Sequence, residues 1–315
     1  MVLRRVLLAA SSNDRVESMV RTSGIARRVM SRYVAGTGVE DAASAAAALT
    51  ADGYLVTLDH LGEEARGPAQ AARAADTAVA LLDALDRRGA AKGADLSVRL
   101  SVLGLHVDEG LARDCAARVC AAAGELGATV TVDTENAALA DRALRVHACL
   151  VEDHPSTGAA VQAALRGAEH HCRALAAARV RLCAGTPGGP ASVSYGRPAD
   201  VDRSYVRCLK VLMEGGGYPM VATHDRRLIE VASALAVLNE REPGSFEYQM
   251  WHGVRPPALE RQAAHGARVR VRVPYGPGWY GHLARHFAGR TGNLADLVRS
   301  MAGRREVTRG TGSRR

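Results

Sequence analysis

Charge and glycine meet in Arg179-Val-Arg-Leu-Cys-Ala-Gly-Thr-Pro187, where basic and aliphatic residues alternate before a break at Gly185, with Gly188 and Gly189 close behind. In an extended segment successive side chains point to opposite faces, so Val180 and Leu182 share one face and Arg179, Arg181 and Cys183 the other. A cation near the carboxyl end of a strand, beside a glycine turn, is placed for an anionic ligand. For one strand alone, an arginine on a polar sheet face is the plainer reading. The same design recurs, however, at the ends of other extended runs: Arg99 with Ser101, Asp133 with Thr134, Gln162, Thr223 with His224, Glu247 with Gln249, and Arg272. Gathered in one confined space, Arg99, Arg181 and Arg272 outnumber Asp133 and Glu247. An unpaired buried cation costs several kcal/mol, so this arrangement implies a bound anion.

A second basic group follows in Gly278-Trp-Tyr-Gly-His-Leu-Ala-Arg-His-Phe-Ala-Gly-Arg290. Helical spacing puts His282, Arg285 and His286 on one face, where an arginine with a histidine suits a carboxylate. The same spacing also describes a solvent-facing basic helix. His170-His171-Cys172 is the densest histidine group, but it falls on a predicted helix with no metalloenzyme spacing, so it reads as a packed or solvated cluster and no metal is expected.

The elements that position these residues follow from periodicity. Extended runs are predicted at 54–59, 96–103, 128–133, 158–163, 179–183, 219–224, 246–251 and 269–274. Amphipathic helices are predicted between them at 68–88, 109–126, 137–151, 167–178, 200–214, 226–240 and 257–265, with a last one at 278–302. Eight strand–helix units in one register describe an α/β fold of the (βα)8 TIM-barrel type, in which ligand sites form at the carboxyl ends of the strands. An open doubly wound sheet is the alternative, but no Gly-x-Gly-x-x-Gly follows an early strand. Residues 1–50 read as an N-terminal helical arm, 51–302 as the barrel, and 303–315 as a basic disordered tail.

The chain of 315 residues is 47% hydrophobic, enough for a large core, and carries a formal net charge of +8. The tail contributes five arginines and one glutamate, hence half of that excess. No aromatic stacking platform or helix-turn-helix pattern accompanies the rest, which argues against nucleic acid. Six cysteines show no CxxC pair and suit a reduced, cytoplasmic setting. No stretch approaches the roughly 20 apolar residues of a membrane span, so any membrane contact is expected to be peripheral.

Several ordered blocks resemble the monofunctional proline dehydrogenases: Thr57-Leu-Asp-His-Leu-Gly-Glu63, Ser97-Val-Arg-Leu-Ser101, Val132-Asp133, Arg181-Leu-Cys-Ala-Gly185, Val221-Ala-Thr-His224, Phe246-Glu-Tyr-Gln-Met250, Arg270-Val-Arg-Val-Pro-Tyr-Gly276 and Trp279-Tyr280, then Arg285 and Arg299-Ser300. The resemblance implies an FAD-dependent oxidoreductase with a (βα)8 barrel, acting on a small amine or imino acid, with a quinone or oxygen as electron acceptor. It implies Asp133 and Arg181 as catalytic residues, with Arg181 beside the flavin. It further implies cofactor contacts from Thr134, Gln162, Ala184, Gly185, Thr186, Thr223, His224 and Gln249. Arg285 matches a carboxylate-binding arginine, with Arg99, Arg272, His282 and His286 completing the substrate side. The departures cluster on that side. Arg99 stands where the family usually has lysine, Ala184-Gly-Thr-Pro187 replaces Lys-Gly-Ala-Tyr, Arg272 replaces tyrosine, and His282 to Gly289 replaces Tyr-x-x-Arg-Arg-x-x-Glu. The implied substrate is accordingly proline or, in preference, a proline-like or other amine or imino acid. A barrel that has lost catalysis and serves as a ligand-binding or partner protein is the alternative.

Overall fold

The computed structural model describes residues 31–185, 189–254 and 256–283. Two compact units divide the chain, one of residues 31–277 and one of residues 1–30 with 278–315. In the described part of the second unit, the His282 amide donates to the Gly278 carbonyl at 3.2 Å, the start of a helical turn. The predicted arm helices before residue 31, the tail, most of the predicted last helix, and Thr186, Arg285 and His286 lie outside the described residues.

Within residues 31–277 the elements run α1 (Val39–Ala51), β1 (Leu55–His60), α2 (Pro68–Asp86), β2 (Asp95–Arg99), α3 (Glu109–Glu125), β3 (Thr129–Asp133), α4 (Ala140–Asp153) and β4 (Gly158–Gln162). They continue through α5 (Ala168–Ala174), β5 (Arg179–Cys183), α6 (Pro198–Glu214), β6 (Tyr218–Ala222), α7 (Arg226–Leu238), β7 (Glu247–Trp251), α8 (Pro256–Ala264) and β8 (Val269–Tyr275). All eight strands pair in parallel in chain order, and β8 returns to β1 through the register Leu55↔Arg270 to His60↔Tyr275. The result is the closed (βα)8 barrel that the periodicity predicts.

Two boundaries differ instructively. Residues 96–103 are predicted as one strand, but β2 stops at Arg99 because the chain turns there: the Val102 amide donates to Arg99 and the Leu105 amide to Leu100. The arm was expected to include residues up to 50, yet α1 belongs to the barrel unit, with Ala42, Ala43 and Ala46 buried. Side chains this small let the helix lie close against β1 and β8.

The barrel reverses the usual distribution of polarity. Outward positions such as Val56, Leu58, Val130, Val132, Val180, Leu182 and Met250 are apolar and buried beneath the helices. Removing each from water contributes about 1.5–3 kcal/mol. The inward positions carry the charge. Strand periodicity puts Asp95, Ser97 and Arg99 on the inner face of β2 and Arg179, Arg181 and Cys183 on that of β5, since Arg181 reaches partners on β2, β3 and β7. The helices are oriented locally: the Asp108 carboxylate accepts from the Leu111 amide at 2.8 Å at the start of α3, and that of Asp225 from the Arg227 amide at 2.9 Å at the start of α7.

Candidate active site

Arg181 is the centre of the barrel axis. It is fully buried, and its guanidinium donates to Gln249 Oε1 (2.9 Å), Ser97 Oγ (2.8 Å), Asp133 Oδ1 (2.8 Å) and Asp95 Oδ2 (2.9 Å). These partners sit 48 to 86 residues away in sequence and meet only because the sheet closes. Asp95 also accepts from Thr57 (3.0 Å), Thr129 (2.9 Å) and Thr131 (2.8 Å). Toward the rim, Arg272 Nη2 contacts Asp133 Oδ2 (2.7 Å), Ser97 Oγ (2.9 Å) and Asp59 Oδ2 (3.0 Å), and its guanidinium carbon lies 4.5 Å from the Trp251 ring centroid. Charges therefore alternate along one contiguous chain: Asp59, Arg272, Asp133, Arg181, Asp95.

Among the described residues, the expected surplus of positive charge is absent from this network. Two guanidinium groups face three carboxylates, because Asp59 and Asp95 join the network and the other two expected contributors are engaged elsewhere. Arg99 donates to the carbonyls of His60 (3.2 Å) and Gly62 (2.7 Å), clasping the loop after β1. Glu247, expected at the mouth, begins β7. There it pairs with Arg270 (2.6 Å) and accepts from Tyr218 (3.0 Å) and Gln249 (2.8 Å), near the other end of the barrel.

Burial and charge set opposite tendencies on the two rim carboxylates. Burial pushes Asp133 up, but Arg272 and Arg181 outweigh it and hold the group below the usual carboxylate range. At Asp59, burial wins over the attraction of Arg272, and repulsion from Asp133 adds to it, so its pKa is raised. Burial, then the repulsion of Arg99, lowers His60 to about 4. Burial, then Asp133, raises the Cys183 thiol to about 11, so it stays protonated at neutral pH.

Of the remaining predicted residues, most lie at or just beyond strand ends, whereas Gln249, expected at a strand end, is the middle residue of β7. Gln162 donates to the Thr134 carbonyl at 2.5 Å, and Thr134 Oγ1 donates to the Ala160 carbonyl at 2.9 Å. Gly185 follows Ala184 in the left-handed region, at φ +72, and an added Cβ would stand 2.5 Å from Gln162 Oε1, so only glycine permits this approach. The His224 ring nitrogen Nε2 accepts from the Trp251 amide at 3.0 Å, which leaves the proton on Nδ1. Thr223 Oγ1 accepts from the Asp225 amide at 3.1 Å, closing the turn before α7. Gln249 lies inside the barrel with its amide oxygen and nitrogen both engaged.

Sequence reasoning missed Asp59, Asp95, Ser97 and Glu135. Glu135 accepts from the Ser101 amide (2.9 Å) and hydroxyl (2.5 Å), tying together the loops after β2 and β3. The alternation Asp95-Leu-Ser-Val-Arg99 was the available signal, since it puts three polar residues on one strand face.

A closed parallel barrel with a buried guanidinium clamped by carboxylates at its centre, and polar groups converging on its carboxyl rim, defines the class: a (βα)8-barrel enzyme. Comparison gives the family. The proline dehydrogenase family model matches residues 42–187 and 184–279. The proline dehydrogenase of Deinococcus radiodurans is 32% identical over 305 residues, covering 95% of this chain and 97% of its own length. Proline dehydrogenase 1 of Bacillus subtilis is 28% identical over 302 residues, with 95% and 99% covered. Among solved structures, proline utilization A from Bdellovibrio bacteriovorus, inactivated by N-propargylglycine, superposes with a TM-score of 0.79 at 19% identity, over 93% of this chain and 35% of that one. A mutant of proline utilization A from Bradyrhizobium japonicum gives 0.72 at 21% identity, over 90% and 33%. The chain thus spans about a third of the length of those larger proteins and shares their fold. It belongs to the proline dehydrogenase family, whose members are FAD-dependent oxidoreductases acting on the CH–NH group. Among the described residues no helix is long and apolar enough to cross a membrane.

Proposed function

We propose that this protein oxidises a carbon–nitrogen bond of proline or, in preference, of a proline-like amine or imino acid, with FAD at the carboxyl rim of the barrel. The observation that carries this reading is the clamp on Arg181, a buried cation fixed by Asp95, Asp133 and Ser97. A guanidinium held this firmly does not reorganise when charge develops nearby, which is the form of electrostatic stabilisation that lowers barriers most.

The residues present fit the cofactor. Gln162 is oriented by its bond to Thr134 and has its amide oxygen left as an acceptor, while the Gly185 turn brings backbone close to it with no Cβ in the way. When bound, FAD supplies the acceptor for a hydride leaving the carbon next to the substrate nitrogen. Gln162, Thr134, Ala184, Gly185, Thr223 and His224 would hold it, joined by Thr186. Arg272 is the substrate-side cation within the described barrel. Its Nη2 is engaged, whereas its buried Nε has no hydrogen-bond partner among the described residues and is the donor proposed for an oxygen of the substrate. A carboxylate-binding role is proposed for Arg285, His282 and His286, and a quinone or oxygen is proposed to take up the electrons.

Arg181 and Gln249 are satisfied internally, and this favours a second reading in which the barrel binds a ligand without turning it over. One experiment separates the two. The protein, reconstituted with FAD, is mixed anaerobically with L-proline and a panel of cyclic amines while its visible absorption is followed. Bleaching by any member supports the oxidase reading. Retained flavin with no bleaching supports the second, and failure to retain FAD overturns both the cofactor site and the mechanism.

A further inference from the structure

The chain of buried charges is odd in number, and its two terminal carboxylates are not equivalent. Asp95, at the inner end, accepts four hydrogen bonds. Asp133, in the middle, is held by Ser97, Arg181 and Arg272. Among the described residues, Asp59, at the rim end, has a direct partner only in Arg272, at 3.0 Å through Oδ2. Asp59 lies one residue before the end of β1, opposite Ser97 on β2 and Pro274 on β8. Among the described residues, the guanidinium groups of Arg181 and Arg272 bond directly to all three carboxylates, and of the three Asp59 has the fewest direct partners.

We infer that Asp59 is the proton acceptor of this site, the carboxylate that takes a proton from the ammonium form of the substrate amine. The inference rests on the reading of the site as amine-oxidising. In the step, an N–H bond of the ammonium breaks, an O–H bond to Asp59 forms, and the electron pair stays on nitrogen. The neutral amine then has the lone pair that drives hydride loss from the adjoining carbon. Asp133 is a poor candidate because two guanidinium groups stabilise its charged form. The charged and titratable groups facing Asp59 are Arg99 from β2, Asp133 from β3, Arg181 from β5, and Arg272 and Tyr275 from β8. Burial and Asp133 raise the affinity of Asp59 for a proton, Arg272, Arg99 and Arg181 lower it, and the balance is a raised pKa.

The test compares wild type with D59N as FAD-loaded enzymes. It follows the anaerobic bleaching rate with L-proline across pH, and thermal melting in the same buffers. A folded-state pKa raised above the unfolded value stabilises the protein at low pH, and that contribution is lost as pH rises through the folded value. D59N lacks the group, so its melting temperature should rise relative to wild type as pH increases. Its flavin content should be unchanged, and its bleaching rate should fall about 10²- to 10⁴-fold and lose the pH-dependent limb of the wild type. Bleaching at the wild-type rate with the wild-type pH profile would overturn the inference. If the wild type is bleached by no amine, the functional reading fails. The melts then decide the raised proton affinity of Asp59 separately, since parallel curves for the two proteins contradict it. Should D59N not accumulate folded, D59E keeps a carboxylate in a shifted position and should bleach with a displaced limb; an undisplaced limb would count against Asp59.

Discussion

Replacing Arg181 by methionine is the sharpest probe of the axis, because it removes one charge from between two buried carboxylates. Asp95 is fully buried and Asp133 nearly so, with side-chain exposures of 0% and 13%, so neither can recover the lost interaction from water. Breaking a buried pair by removing one partner costs about 3–5 kcal/mol. Four hydrogen bonds vanish with the guanidinium, but Asp95 keeps its three threonine donors and Asp133 keeps Arg272 and Ser97, which holds the cost within that range. At about 2–4 °C per kcal/mol for a domain of this order of size, the melting temperature at neutral pH should drop by roughly 6–20 °C. The drop should shrink on acidification, as the orphaned carboxylates take up protons. Adding D95N to R181M removes one of the two stranded charges and should restore about 1–3 kcal/mol, a coupling expected only of direct partners. Melting of the wild type, both single variants and the double variant by scanning calorimetry tests this. A loss under about 1 kcal/mol for R181M, or strict additivity in the double variant, would refute the picture of a clamped central cation.

Three further outcomes follow from other parts of the barrel. G185A forces a Cβ onto Gln162 at a positive φ; its flavin-to-protein ratio after reconstitution should fall well below wild type, and full flavin content would contradict the proposed cradle. His147 is buried with Nε2 donating to the Thr157 carbonyl at 3.1 Å, and burial lowers its pKa. The unfolded chain therefore takes up the proton first as pH falls below about 6.5, so stability is lost on acidification, and H147Q should flatten that part of the melting-temperature curve. Tyr205 on α6 donates to the Leu182 carbonyl on β5 at 3.1 Å, so Y205F should cost about 0.5–1.5 kcal/mol in thermal melting without changing the fold seen by circular dichroism.

The limits of legibility show in β5 and β2. From Arg179-Val-Arg-Leu-Cys183 alone, periodicity separates the apolar outer face from the charged inner one, and the same rule finds all eight strands. These are local facts, because a strand's two faces are set within a few residues of chain. The blocks from Thr57 to Tyr280 carry the family in the same way, through residue identity and order. Asp95 shows where such reasoning stops. It opens a strand, so a search confined to strand ends passes over it, although it is a direct partner of Arg181 at 2.9 Å. Glu247 fails in the reverse direction, being named as a mouth residue when it starts its strand.

What the amino-acid sequence by itself determined is therefore the (βα)8 architecture, the family, and which side chains face the barrel interior. Only the closed structure decided who pairs with whom: that Arg99 turns to carbonyls, that Arg272 bridges Asp59 and Asp133, and that, among the described residues, Arg181 and Arg272 bond to three carboxylates. The reason is physical. Facing direction depends on backbone geometry within a strand, whereas an ion pair depends on distance in space, and barrel closure brings β2, β3, β5 and β8 to one axis, where Arg272 bonds Asp133 and Ser97 across 139 and 175 residues of sequence.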